Sequence, residues 1–155
     1  MVIAILSSVL LIALPKMDTR TSAARLSGSA RRVSAMVSEL HSRSAFAGKN
    51  SVLRISIEKN TYSGLVETGS GELQLLSGGA GKQSHNLLRG VAFEDVVAGN
   101  EVFTRGVVDI NFLPYGIAEN VIVHLVNREM DRCSVVVNPF TGRALIKRGY
   151  VRSDE

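Results

Sequence analysis

Residues 23–40, AARLSGSARRVSAMVSEL, and residues 51–58, SVLRISIE, decide the fold between them. In the first, apolar positions fall at Ala23, Leu26, Ala30, Val33, Val37 and Leu40, spaced by threes and fours, which is one face of an amphipathic helix. In the second, Leu53, Ile55 and Ile57 alternate with Arg54, Ser56 and Glu58, which is the period of a strand with one buried face. The period therefore changes once, close to Asn50. Arg20, Arg25, Arg31, Arg32 and Arg43 fall on the other face of the helix and make it basic and solvated. Gly28 is a weak point in it. The helix is expected to end near Gly48, with Lys49 and Asn50 following.

Upstream lies VIAILSSVLLIALP, residues 2–15. A helix that crosses a bilayer needs roughly 20 mostly apolar residues, and this run is shorter. A secretory signal would carry a basic stretch before it and a small-residue cleavage site after it. Neither is present, because no Lys or Arg precedes Lys16 and ALPKM is a poor cleavage site. Only Pro15 separates this run from the amphipathic stripe, so both are expected to form one long helix, kinked where the proline removes a backbone hydrogen bond.

Downstream, Lys59 to Gly64 reads as a turn before Leu65 and Val66, and Leu73 with Leu75 as a short third strand. Residues 77–84, SGGAGKQS, read as a loop. Strands are then expected near residues 87–97, 107–112, 120–126, 134–138 and 144–147. The fold class is α+β: a long N-terminal helix whose apolar stripe covers the inner face of an antiparallel meander. Sheet order is not readable from one chain. The composition agrees with a folded chain, since 45% of the 155 residues are hydrophobic and 21% charged. The single Cys133 cannot form an internal disulfide and reads as a small buried residue.

The residues that bear chemistry do not assemble into an enzyme site. The GGAGKQ loop fails the phosphate-loop pattern twice, at Leu76 and Gln83. His41, His85 and His124 lie far apart in sequence, each reading as structural or solvated, with His41 on the helix surface. No G-x-S-x-G elbow presents a nucleophile. Glu94 and Asp95 are strand neighbours, expected on opposite faces and unable to share a task. No metal or cofactor is implied. The net charge of +4 favours anionic partners. Beyond the helix face, a second basic group lies at the C-terminus, where Arg143, Lys147, Arg148 and Arg152 interleave with Tyr150 and are partly neutralised by Asp154 and Glu155. The group reads as a charged edge strand that resists pairing, or as phosphate contacts beside a stacking ring.

The apolar run ending in ALP, the long amphipathic helix and a sheet that closes with INFLPYG and NPFTGR together resemble the type IV pilin superfamily, and within it the GspH and FimT group of minor pseudopilins and minor pilins. Phe112, Pro114 and Gly116 match that group's F-x-P-x-G turn, and Pro139, Gly142 and Arg143 its P-x-T-G-R motif. Tyr115 stands where the turn often has aspartate or asparagine.

The resemblance implies a type II secretion minor pseudopilin: a non-enzymatic structural subunit, single-pass in the bacterial inner membrane, with its C-terminal domain in the periplasm. Residues 1–22 would be the membrane and filament-core segment and residues 23–155 the periplasmic domain, with the amphipathic helix at 23–48 and the sheet at 50–150. Val2, Ile5, Val9, Leu10 and Leu14, up to Pro15, would sit in inner-membrane lipid and then pack against other major and minor pseudopilins in the filament core. Leu26, Ala30, Val33, Val37 and Leu40 would hold the sheet.

Family members also carry a basic leader removed by prepilin peptidase, and a glutamate near the mature N-terminus. Neither is in this sequence, so Met1 is expected to be an internal methionine or a boundary within a longer chain, and the leader would restore positive-inside orientation. The FimT side of the resemblance implies instead DNA binding for natural transformation through Arg143, Lys147, Arg148 and Arg152.

Overall fold

The computed structural model describes residues 2–76, 84–117 and 119–152, with side chains from residue 21 onward. The expected loop at 77–84 lies outside them except for Ser84, and so do Asp154 and Glu155. One helix, α1 (Val2–Ala47), runs without a break in its assignment through Pro15. Gly48 N–H donates to Ser44 O at 3.0 Å and ends it where expected. Leu26, Ala30, Val33, Val37 and Leu40 are all buried in the core. Ala23 is exposed, contrary to expectation, and the buried positions in the described part of the helix begin at Leu26. Arg25, Arg31, Arg32 and Arg43 are exposed on the far face, with Arg43 paired to Glu39 one turn away.

Eleven strands follow among the described residues: β1 (Ser51–Ser56), β2 (Thr61–Glu67), β3 (Leu73–Leu75), β4 (His85–Asn86), β5 (Val91–Ala98), β6 (Glu101–Phe103), β7 (Val107–Leu113), β8 (Gly116–Ile117), β9 (Val121–Asn127), β10 (Arg132–Val137) and β11 (Ala144–Arg148). All pairings are antiparallel, and they divide into two sheets rather than one continuous meander. The first has the order β3-β2-β1-β7-β8, with β4 also pairing β2, and the second the order β11-β10-β9-β5-β6. The helix packs on both. The inner faces of the two sheets and the stripe of α1 form one apolar cluster.

Strand alternation is cleanest where one face meets the core and the other water. In β7, Val108, Ile110 and Phe112 are buried while Val107, Asp109 and Asn111 are exposed. In β1 the outward Arg54 stands opposite Asp109 and pairs with it at 2.7 Å.

Three local readings differ. The expected turn at 59–64 lies instead at Ile57–Asn60, where Asn60 adopts φ 53 and donates to Ile57 O, so Tyr62, Ser63 and Gly64 belong to β2. The expected strand 87–97 starts at Val91, because Leu88 to Val91 closes a hydrogen-bonded turn. Glu94 and Asp95 do not face apart. A bulge between Phe93 and Asp95 inserts Glu94 as the extra residue, and both carboxylates then act on Arg132 and Tyr150.

Candidate functional surfaces

Three surfaces gather the residues singled out by sequence. The first is the junction between α1 and the two motif turns. Phe112 is fully buried at the end of β7, and its carbonyl accepts a hydrogen bond from the buried Ser44 hydroxyl of α1 at 3.0 Å. Ser44 also donates to Lys49 O at 2.7 Å. A hydroxyl can donate only one hydrogen at a time, so the two carbonyls share it.

Pro114 and Tyr115 form the turn, with Tyr115 84% exposed. Gly116 is held against the second motif, where a Cβ would stand 2.8 Å from Pro139 O, and Ile117 N–H donates to that same carbonyl at 2.9 Å. Asn138 builds the second turn: its side-chain oxygen accepts from Phe140 N–H and Thr141 N–H, both at 3.0 Å. Gly142 follows with φ 62, and a Cβ there would overlap the His41 imidazole of α1. His41 is thus half-buried beneath the P-x-T-G-R turn rather than lying on the polar face of the helix, and its Nδ1 is buried without a hydrogen-bond partner among the described residues. Arg143 leaves this turn at the start of β11.

The second surface is the outer face of the five-stranded sheet, little of which is legible in the sequence. Cross-strand partners share a face, so the pairings Asp95↔His124, His124↔Ser134 and Ser134↔Lys147 define a polar row across β5, β9, β10 and β11. His124 is fully buried there. Its Nδ1 lies 2.6 Å from Asp95 Oδ1, and its Nε2 lies 2.9 Å from Val151 O, an obligate acceptor to which it donates.

The row holds Gly149, Tyr150 and Val151. Ser134 Oγ donates to Gly149 O at 2.6 Å and accepts from Val151 N–H at 3.1 Å, and the Tyr150 ring stacks on His124 with centroids 3.8 Å apart. Burial, aided by the Asp95 and Glu94 carboxylates, raises the Tyr150 phenol above its ordinary value of 10.0, against the opposing pull of Arg132. A raised folded value favours the protonated ring. Its contribution to holding this tail is therefore complete below about pH 10 and is lost as pH rises through the folded value. Asp95→Asn should shift the Tyr150 transition down toward the ordinary value, read from the ring resonances in an alkaline NMR titration; an unchanged midpoint would mean that the carboxylate does not act on the phenol.

The third surface is the C-terminal cationic group, which the structure divides. Lys147 stands opposite Ser134 on the outer face, whereas Arg148 stands opposite Cys133 on the face toward α1. Arg143, Lys147 and Arg152 line one cleft of about 560 Å3, while Arg148 lines another with Leu26 and Cys133. Strand alternation imposes this separation. β11 is an edge strand, as expected of a charged one. Cys133 is buried, and burial pushes its thiol up. His85 stacks on Tyr62 at 5.5 Å. The side chains of Val2, Ile5, Val9, Leu10, Leu14 and Pro15 lie outside those described. Among the described residues no helix is long and apolar enough to cross a membrane.

No family model matches the chain, and no curated protein does. Two solved structures of the minor pseudopilin EpsH from the type 2 secretion system of Vibrio cholerae are similar to it. One superposes with a TM-score of 0.60 over 81% of this chain and 96% of the other, and the second with 0.63 over 83% and 97%. Identity is 12% in both cases, so the likeness is one of fold. With its long N-terminal helix laid over antiparallel sheets, the chain has the pilin-like fold of the EpsH minor pseudopilins.

Proposed function

We propose that this chain is a minor pseudopilin of a type II secretion system: a non-enzymatic subunit near the tip of the periplasmic pseudopilus that supports export of folded proteins across the outer membrane. The observation that carries this reading is the length of α1. Its 46 residues rise about 69 Å, while among the side chains described, from residue 21 onward, the buried positions run from Leu26 to Ser44 and account for about 28 Å. Its apolar residues Val2, Ile5, Val9, Leu10 and Leu14 would first reside in inner-membrane lipid and then pack among the helices of other pseudopilins, with the domain from residue 23 onward in the periplasm. Prepilin peptidase would act on a precursor that carries a leader.

Affinity purification of the tagged full-length precursor from membranes of secreting cells tests this. Major and minor pseudopilins should copurify, and Leu10→Asp should release them. Recovery of the chain free of pseudopilins would overturn the reading.

The DNA-binding reading draws support from Arg143, Lys147 and Arg152 sharing a cleft. It is weakened by the placement of Arg148 on the opposite face and by the stacking of Tyr150 on His124, which occupies one face of the ring.

A further inference from the structure

Beside the polar row on the outer face runs a second, apolar one. The pairings Val97↔Ile122, Ile122↔Val136 and Val136↔Leu145 place four aliphatic side chains in line across β5, β9, β10 and β11, pointing away from α1. The solvent side of an antiparallel sheet ordinarily alternates to polar residues, so an aliphatic row there calls for a partner. Val97 and Ile122 are buried at one end of it, but Leu145 is 59% exposed at the other.

The row forms the floor of the cleft that Arg143, Lys147 and Arg152 border, and among the described residues no acidic side chain lines that cleft. Arg143 stands beyond one side of the row. Lys147 stands beyond the other, where Val151 and Arg152 of the pinned tail complete the wall. At about 4.8 Å per strand the row spans about 14 Å, the length of about four residues of extended chain. Four aliphatic residues offer nothing for a base to stack on, whereas side chains of an extended peptide on one side of its backbone would fit between them.

We infer that this cleft is a docking groove for a short extended segment of a partner protein that carries aliphatic side chains toward the sheet and carboxylates toward Arg143, Lys147 and Arg152. Desolvation of the aliphatic row supplies affinity, and the cationic borders select acidic over basic segments. Arg148 takes no part, since it stands on the other face.

Fluorescence anisotropy with the full-length chain in detergent micelles tests the assignment. The probes are a short labelled peptide alternating valine and glutamate, the same peptide with glutamine for glutamate, and a single-stranded DNA oligonucleotide. The acidic peptide should bind, and more tightly than either of the others. Leu145→Glu and Lys147→Glu change exposed positions, so the fold should be kept, as circular dichroism would verify; each should weaken the acidic peptide about tenfold or more, while Arg148→Glu should change it less than about twofold. Three outcomes overturn the inference: no binding of the acidic peptide, tighter binding of the oligonucleotide, or a loss on Arg148→Glu equal to that on Lys147→Glu.

Discussion

Gly142→Ala should lower the melting temperature of the domain by roughly 5–15 °C. The residue sits at φ 62, in the left-handed region where a Cβ costs about 1–2 kcal/mol, and the new methyl would overlap the His41 imidazole. His41 belongs to the buried flank of α1, next to Leu40, which is fully buried, so the ring cannot move aside without disturbing the helix-sheet contact. Overpacking of this kind adds about 1–3 kcal/mol. The two causes separate in a double-mutant cycle. In a His41→Ala background the overlap disappears, and Gly142→Ala should then cost only the backbone part. Equal losses in both backgrounds would show that the turn does not bear on the helix through this ring.

Phe112→Ala should be still more damaging, by about 3–5 kcal/mol in chemical denaturation. The ring is fully buried where β7 ends, and it fills the core between the stripe of α1 and the two sheets. Its carbonyl takes the Ser44 hydroxyl, so a backbone that relaxes into the cavity would also strain a buried hydrogen bond between helix and sheet. Phe112→Leu keeps most of the volume and the carbonyl, and should cost much less. If the two substitutions proved equally mild, the F-x-P-x-G phenylalanine would not be the packing anchor of this junction.

What could be read from the sequence follows from how local each cause is. The helix stripe from Leu26 to Leu40 and the strand alternation in β1 and β7 are set by a period, and a period is visible in one chain. Ser29 and Ser44 broke that reading. Both are polar letters in the helix pattern, yet both are buried, because Ser29 Oγ accepts from Leu88 N–H at 3.1 Å and Ser44 bonds Phe112 O. Their partners lie 59 and 68 residues away, which no window on the sequence contains.

The same limit explains His124. A lone histidine between valine and leucine gave no reason to expect Asp95, Ser134 and the C-terminal residues around it. The bulge at Glu94 hid the relation further, because strict alternation sends Asp95 to the wrong face. The motif glycines stood out by resemblance, but their causes are tertiary: Gly116 meets the Pro139 carbonyl, and Gly142 meets His41. Lys147 and Arg148 differ only in strand parity, and assigning that parity needed the register of β10 against β11.

In the proposed function, the residues of α1 before Leu26 help to build a filament that drives secretion. The direct measurement is the distribution of folded exoproteins between periplasm and medium in cells lacking this chain. Exoproteins should accumulate in the periplasm, and secretion should return with the wild-type precursor but not with one carrying Leu10→Asp. Undiminished secretion in the deletion strain would contradict the account.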